Sequence, residues 1–334
     1  MDPEYSDREQ QYVGADSPYS EPQTPYTERP VRPEAPVTYS RWSSRHLLLA
    51  AAGLALVVAI LLAVILARPA NRYPVAMSGH FGYIDHSGKI VIPAQFTDAG
   101  LFDEGLAPVK VGKSWGYADR DGKIVIAPTF DIADPFSEGL ALVGSGGKYG
   151  YIDKKGAWVV RAIYSGAGRF SEGRAPVTTG NGWGFIDKSG KLVINPQFQE
   201  AGNFGDGLAA VRLGGKYGYV DSNGRTVIQP QYDEAGEFSD GLGLVRMANR
   251  YGYIDKSGKY AINPQFDRAG EFAEGLAPVG IAGRYGYIDR RGRIAINPQF
   301  DQAGDFAHGL APVWLGNRQG YIDKNGKYVW PPTA

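Results

Sequence analysis

Few side chains in this 334-residue sequence could carry out nucleophilic or acid–base chemistry. The chain has no cysteine, and its four histidines are His46, His80, His86 and His308. A catalytic triad needs a nucleophile, a histidine and an orienting carboxylate within hydrogen-bond reach, and these scattered histidines do not suggest one. Without cysteine, thiol nucleophiles and Cys-ligated metals are excluded. The sequence therefore predicts a protein that is not an enzyme, with no catalytic residue, no cofactor and no metal.

Two short motifs have some features of ligand-binding loops. Gly112-Lys113-Ser114 ends like a phosphate-binding loop, but residue 107 is Ala where that motif requires Gly. Asp119-Arg120-Asp121-Gly122 resembles part of a calcium loop, and equivalent sequences recur along the chain. A Lys or Arg follows the last glycine in seven of the eight copies, which is unfavourable beside a cation. The aspartate is therefore predicted to cap a turn through backbone N–H groups.

The dominant feature is a repeat of 34 residues without insertions. It is marked by glycines at constant spacing: Gly82, Gly116, Gly150, Gly184, Gly218, Gly252, Gly286 and Gly320. An aspartate follows each of them after three residues, and a second glycine comes three residues later. Each unit holds four or more glycines and alternating apolar residues, which argues against helical repeats of the same period. Each unit is predicted to be a meander of three short strands.

Eight such units are joined by seven connectors, each carrying one phenylalanine predicted to be buried. These residues are Phe102, Phe136, Phe170, Phe204, Phe238, Phe272 and Phe306. One meander cannot bury both of its faces, so neighbouring units must stack. The predicted fold class is an all-β tandem-repeat array. A β-propeller-like ring and an open β-solenoid both remain possible.

These motifs resemble those of the WG-repeat (KWG-repeat) family, whose members are mostly bacterial. The resemblance rests on Trp115-Gly116-Tyr117 and Trp183-Gly184-Phe185, the Asp-x-x-Gly-Lys turns and the Glu-Gly-Leu-Ala sequence at residues 104–107. It covers about residues 74–330. This chain departs from the pattern by using Tyr or Phe at most Trp positions and Gln319 at the last. The resemblance implies a β-rich array, often membrane-anchored or secreted, and it implies no catalytic residue and no agreed ligand.

Three regions precede the repeats. Residues 1–45 contain seven prolines and almost no Leu, Ile or Phe, and we predict a disordered Pro/Tyr-rich tail. Residues 46–68 are predicted to form a transmembrane signal-anchor helix, because residues 47–66 are all apolar and long enough to cross a bilayer. Residues 69–73 are a linker, and residues 74–334 form the repeat domain.

Arginines near the apolar segment predict its orientation. Four arginines lie within about 20 residues before the segment, and two lie in a similar stretch after it. The N-terminus is therefore expected to be cytoplasmic, where the tail could contact a partner. The repeat domain is expected to be extracytoplasmic.

The third and fourth units break the symmetry of the repeat. Trp158, Arg161, Arg174 and Trp183 are the candidate ligand-binding residues, because they depart from the repeat and exposed aromatic rings can stack on sugars. A degenerate repeat, with the aromatic rings serving the core, is the alternative.

The composition favours binding over other functions. Equal numbers of acidic and basic residues give no electrostatic basis for binding nucleic acid. Many similar weak contacts at fixed spacing would provide avidity. The sequence therefore predicts a membrane-anchored binding or scaffold module for an envelope protein or a cell-wall polysaccharide. A polysaccharide-acting enzyme with its site in the third and fourth repeats, and a purely structural spacer, are the alternatives.

Overall fold

The structure, a computed structural model, describes residues 71–332. In this range 31 β-strands form eight separate antiparallel sheets. The predicted tail and transmembrane segment, and the start of the linker, lie outside the described residues. Within residues 71–332, none of the chain forms a helix with the length and apolarity needed to span a bilayer.

The strands follow the repeat closely. The first sheet contains β1 (Tyr73–Met77), β2 (His80–Ile84) and β3 (Ile90–Phe96). The second contains β4 (Asp98–Ala99), β5 (Ala107–Val111), β6 (Ser114–Ala118) and β7 (Ile124–Phe130). The third contains β8 (Ile132–Ala133), β9 (Leu140–Ser145), β10 (Lys148–Asp153) and β11 (Trp158–Tyr164). The fourth and fifth sheets contain β12 (Gly166–Ala167), β13 (Arg174–Thr178), β14 (Trp183–Asp187), β15 (Leu192–Phe198); β16 (Glu200–Gly205), β17 (Leu208–Leu213), β18 (Lys216–Val220) and β19 (Thr226–Tyr232). The last three contain β20 (Glu234–Ser239), β21 (Leu242–Met247), β22 (Arg250–Ile254), β23 (Tyr260–Phe266); β24 (Arg268–Ala269), β25 (Leu276–Ile281), β26 (Arg284–Asp289), β27 (Ile294–Phe300); β28 (Gln302–Ala303), β29 (Leu310–Leu315), β30 (Arg318–Asp323) and β31 (Tyr328–Trp330).

The prediction of three strands per unit is correct only for the first sheet. In the other seven, the connector supplies an additional strand, which comes first in the sheet and pairs with the next one along the chain. In the second sheet, the Thr97 N–H donates to the Lys110 carbonyl at 2.9 Å, and the Gly100 N–H donates to the Pro108 carbonyl at 2.8 Å. The connector adopts this course because its backbone groups would otherwise lack hydrogen-bond partners.

The sheets pack face to face as the blades of a ring. Each of eight apolar clusters joins one sheet to the next, as Tyr117 and Ile126 of the second sheet pack on Phe136 and Val143 of the third. The last cluster joins the eighth sheet back to the first through Tyr73, Val75 and Tyr321. The structure therefore selects the ring over the solenoid: the domain is an eight-bladed β-propeller, with blades 1–8 in chain order.

The glycine that follows the repeated aromatic is required by a close approach of the backbone. In blade 2, a β-carbon at Gly116 would lie 2.8 Å from the Pro128 nitrogen and even nearer to the Ile126 carbonyl oxygen. The fourth strand bends across the third at this point, where the pairing register shifts. Only glycine leaves enough room, which explains its recurrence in every unit.

The repeated aspartate caps a turn, as predicted. In blade 1, Asp85 Oδ1 accepts hydrogen bonds from the Ser87 N–H at 2.8 Å and the Lys89 N–H at 3.0 Å. The same carboxylate-to-backbone pattern recurs in the other blades, for example at Asp221 and Asp323. The Oδ1 atom of each aspartate is thus engaged by the turn itself, which supports the capping role.

Tyr73 closes the ring in place of a missing phenylalanine. At the other seven interfaces, an aromatic ring of the third strand packs on the connector phenylalanine with centroids 4.6–5.0 Å apart. At the interface of blades 8 and 1, Tyr321 packs on Tyr73 instead, at 5.6 Å. The Tyr73 hydroxyl donates to the His308 carbonyl at 2.6 Å, and the Tyr321 hydroxyl donates to the Pro74 carbonyl at 2.9 Å. We call this interface the seam.

His308 stands at the seam, at the position where the other connectors have an acid. In six connectors, the carboxylate at this position accepts the N–H of a glycine in the next blade, as Glu104 does from Gly139 at 3.0 Å. At the seam the following blade starts with β1, and His308 contributes its carbonyl to Tyr73 instead.

Candidate binding cleft

One row of side chains crosses each blade and differs between blades. The row consists of directly paired residues on the first, second and third strands of a four-stranded blade, and we call it the cross-strand row. In blade 6 it reads Glu234, Arg246 and Tyr251. The Arg246 guanidinium contacts Glu234 at 2.7 Å and lies 5.9 Å from the centre of the Tyr251 ring. Blade 5 repeats this arrangement with Glu200, Arg212 and Tyr217.

Blade 7 breaks this row at its centre. The paired residues are Arg268, Gly280 and Tyr285, so that a glycine stands where the arginine would cover the tyrosine ring. In blade 8 the row reads Gln302, Trp314 and Gln319. Tyr285 and Trp314 therefore lie in rows whose central position carries no arginine or lysine.

These residues line an open cleft between blades 7 and 8. The cleft has a volume of about 780 Å³, and its walls include Arg268, Gly280, Tyr285, Gln302 and Trp314. It opens on the side of the ring that carries the turns between second and third strands, such as residues 281–284, and we call this side the cleft face. Half-buried aromatic rings beside a few polar groups are typical of sites that bind sugars or extended chains.

The two acids of the cleft are already neutralised. Asp267 forms an ion pair with Arg250. Asp301 forms an ion pair with Arg284 and also accepts the Gly316 N–H at 2.6 Å. The charges of both carboxylates are therefore matched by protein groups.

The structure separates the two tryptophans that the sequence singles out. Trp158 lies on β11, is 39% exposed, and stacks edge-on against Phe130 of blade 2 at 5.9 Å. Trp183 begins β14 and packs beside Gly166 and the cluster between blades 4 and 5. They thus belong to different interfaces, and their role in binding a ligand stays a prediction.

Arg161 and Arg174 differ in their surroundings. Arg161 is exposed on β11. Arg174 donates from Nε to the Ser222 carbonyl of blade 5 at 2.9 Å. In other blades the residue equivalent to Ser222 is often a lysine. Its side chain can form an ion pair with the preceding blade, as Lys154 does with Glu104 at 3.0 Å. Arg174 thus replaces a missing contact between blades, which supports the alternative of a degenerate repeat at this position.

Sequence reasoning missed Arg268, Gly280, Tyr285 and Trp314. A signal was available, because the three positions of the cross-strand row lie 12 and 5 residues apart in every repeat. At these positions the repeats read Asp-Lys-Trp, Ile-Gly-Tyr and Gly-Thr-Trp in blades 2–4, Glu-Arg-Tyr in blades 5 and 6, and Arg-Gly-Tyr in blade 7, so that an arginine before the central glycine distinguishes blade 7. Which residues share a row depends on the strand register, and this was not known from the sequence.

A second polar cluster lies on the axis of the ring. Arg169 of blade 4 contacts Glu237 of blade 6 at 2.7 Å, and only near the axis can blades that are not neighbours meet. The Glu237 N–H donates to Glu271 of blade 7 at 2.6 Å. Burial raises the pKa of the Glu237 carboxyl, and it raises that of Glu271 to about 7. Asp305 of blade 8 also has a raised pKa because neighbouring blades displace water around it.

Glu271 makes stability depend on pH in a defined direction. Its folded-state pKa of about 7 lies above the ordinary value of 4.5. Below about pH 4.5 the carboxyl is protonated in both the folded and the unfolded chain, so its burial carries no ionisation cost. As the pH rises toward 7, the unfolded chain loses this proton more readily than the folded chain, and the folded state is destabilised. We expect Glu271→Gln to raise the free energy of unfolding at pH 8 by roughly 2 kcal/mol and to change it little at pH 4. Urea unfolding at both pH values measures this, and equal effects at pH 4 and pH 8 would contradict it.

Other motifs do not form catalytic arrangements in the described residues. Residues 112–116, Gly-Lys-Ser-Trp-Gly, have the spacing of a nucleophile elbow, which sequence reasoning overlooked. The structure places Ser114 at the start of β6, after the turn of a β-hairpin, whereas both the elbow and the phosphate-binding loop lead into a helix. Residues 71–332 contain no group of three or more His, Asp or Glu suited to hold a metal ion.

The fold and the cleft define a β-propeller that carries an aromatic-lined groove between two blades. Comparison with protein families identifies the repeat itself. The family described as "WG containing repeat" matches seven segments, namely residues 81–114, 115–149, 149–183, 183–217, 217–251, 251–284 and 285–318. The chain belongs to this family. The matched unit runs from the aromatic of one blade to that of the next, so seven units span parts of all eight blades.

Solved structures share the propeller architecture at low sequence identity. A crystal structure of the eukaryotic initiation factor aligns with a TM-score of 0.52 and 12% identity, covering 78% of this chain and 84% of that one. Dihydro-heme d1 dehydrogenase NirN in complex with DHE aligns with a TM-score of 0.53 and 14% identity, covering 78% and 73%. At this identity the likeness concerns the fold alone. No curated protein matches the chain.

Proposed function

We propose that this protein is a binding module that holds a cell-envelope polysaccharide in the cleft between blades 7 and 8. The observation that carries the proposal is the break in the cross-strand row at Gly280, which leaves the Tyr285 ring uncovered beside Trp314. Aromatic faces stack on the apolar faces of sugar rings, and Gln302 adds a hydrogen-bonding group. An envelope protein is the competing ligand.

Removing the half-buried ring of Trp314 should weaken binding strongly. We expect Trp314→Ala to reduce the affinity of the full chain for isolated bacterial cell-wall glycan about tenfold, because stacking on an aromatic ring contributes roughly 0.5–1.5 kcal/mol beyond the area that it buries. Tyr285→Ala should have a similar effect. Co-sedimentation of the protein with the insoluble glycan measures the loss.

Two variants serve as matched controls. Tyr251→Ala removes the aromatic from the same row of blade 6, where Arg246 and Glu234 already occupy its neighbourhood. Trp158→Ala removes a tryptophan that lies on another blade. Both should leave glycan binding near that of the parent chain. Equal losses from Trp314→Ala and Trp158→Ala would contradict the assignment of the cleft, and capture of an envelope protein without glycan would favour the competing ligand.

We further propose that the propeller is displayed outside the cell by a membrane anchor. The proposal is supported by the uncharged apolar segment at residues 47–66 and the excess of arginine before it. Since the chain lacks cysteine, Lys148→Cys provides a single thiol on the cleft face. A membrane-impermeant maleimide should label it in intact cells. Labelling only after lysis would reverse the orientation.

An enzyme remains the second candidate because of the axial acids. A carboxyl with a pKa near 7 beside a second carboxylate could act as a general acid in glycoside cleavage. Binding is preferred because Glu237 is engaged by Arg169 and Glu271 by the Glu237 amide. Release of reducing ends from the bound glycan, lost in Glu271→Gln, would favour the enzyme.

A further inference from the structure

A second cleft adjoins the first on the other side of blade 8. It lies at the seam, has a volume of about 540 Å³, and is lined by Met77, Arg318, Gln319 and Trp330 among others. Its wall includes the turn at residues 315–318, so it opens on the cleft face as well. Trp314 and Gln319 are directly paired on β29 and β30, and each lines one of the two clefts. Blade 8 is therefore flanked by two clefts that one extended ligand could occupy.

The first cleft contains a cation in place of an acid. Arg268 occupies the position of Glu200 and Glu234 in the cross-strand row, while the central position that would otherwise hold an arginine is Gly280. Arg268 is exposed and forms no ion pair with an acidic side chain of residues 71–332. Since Asp267 and Asp301 are paired with other arginines, the charge that remains for a ligand is positive.

The seam cleft contains a second such cation for a different reason. A basic residue at the start of the third strand pairs with an aspartate 17 residues later in three consecutive blades, through Lys216 and Asp233, Arg250 and Asp267, and Arg284 and Asp301. Arg318 holds this position in blade 8 and faces blade 1. The sequence has no Asp or Glu from residue 35 to residue 84, so blade 1 offers no equivalent acid. Arg318 is exposed and makes no ion pair within residues 71–332.

We propose that the two clefts together bind an acidic polysaccharide across blade 8, with Arg268 and Arg318 binding its carboxylates and Trp314 stacking on a sugar ring. This inference rests on the proposed function and adds the charge of the ligand to it. Guanidinium groups bind carboxylates in a bidentate manner, which a neutral glycan could not use. An acidic peptide would match the charge but would gain less from the uncovered aromatic faces.

The test compares three soluble probes on the immobilised full chain: alginate as a polyuronate, dextran as a neutral glycan, and poly-glutamate. We expect alginate to bind most tightly, with an affinity that falls as salt increases. The double variant Arg268→Gln, Arg318→Gln should weaken alginate binding about 10- to 100-fold, which corresponds to about 1.4–2.7 kcal/mol for the two exposed guanidinium groups together. Arg225→Gln removes an exposed arginine of blade 5 that lies outside both clefts, and it should leave the affinity unchanged.

The possible outcomes separate this inference from the proposed function. If alginate and dextran bind equally and Trp314→Ala weakens both, the cleft binds glycan as proposed, and the inference that the glycan is acidic is overturned. If poly-glutamate binds more tightly than alginate, the ligand is an acidic peptide and the polysaccharide assignment is overturned. If no probe and no isolated cell-wall glycan binds, the proposed function fails as well.

Discussion

Tyr73→Ala is expected to destabilise the propeller by about 3–5 kcal/mol, the usual range for removing a large buried aromatic side chain. The ring of Tyr73 is fully buried and occupies the place that a connector phenylalanine holds at the other seven interfaces. Its removal also takes away the hydroxyl that donates to the His308 carbonyl. Urea unfolding of the full chain measures the change, and β1 and β30 should lose protection from hydrogen exchange first.

Two variants separate packing from hydrogen bonding at the seam. Tyr73→Phe keeps the ring against Tyr321 and loses only the hydroxyl, so we expect a cost of about 1 kcal/mol. Phe306→Ala removes the corresponding aromatic between blades 7 and 8 and should cost as much as Tyr73→Ala. A change below 1 kcal/mol for Tyr73→Ala would show that the seam contributes little to the stability of the ring.

Gly252→Ala is expected to cost about 3 kcal/mol, near the upper end for overpacking, because the added methyl group meets backbone atoms. Its β-carbon would lie 2.6 Å from both the Ile262 carbonyl oxygen and the Pro264 nitrogen. Backbone atoms of a paired strand cannot turn aside as a side chain can. The loss should appear as a lower unfolding midpoint in the same urea experiment.

Gly202→Ala is the matched control for this prediction. Gly202 also lies in a strand, but its nearest neighbours would be the Ala210 carbonyl oxygen and β-carbon, at 3.8 and 3.9 Å from the new methyl group. We expect a change within about 0.5 kcal/mol. If Gly202→Ala and Gly252→Ala destabilise the chain equally, the close approach of the fourth strand is not the reason for the repeated glycine.

Much of the architecture could be predicted from local patterns. The period of 34 residues, the Asp-x-x-Gly turns and the alternating apolar residues depend on interactions within a few residues of one another, and the structure confirms the repeat and the turns. The additional first strand of each blade was not predicted, because residues such as Asp98 and Ala99 carry little strand pattern of their own. Their pairing arises from the need to satisfy connector backbone groups against β5.

The candidate cleft was harder to predict than the repeat. Trp158 and Arg174 stand out in the sequence because they differ from their counterparts, and the structure shows Arg174 completing a contact between blades. Gly280 does not stand out in a chain with 46 glycines. Its effect on Tyr285 becomes visible only when the register places them in one row.

By itself, the sequence determined the number of units, three of the strands in each, the turns and the family, because each follows from short-range spacing that recurs in phase. The tertiary structure decided that the units close into a ring, since closure depends on Tyr73 meeting Tyr321 across nearly the whole domain. It also decided where a ligand could bind. The two clefts beside blade 8 combine residues from different repeats, and their proximity results from packing between blades that a linear pattern does not encode.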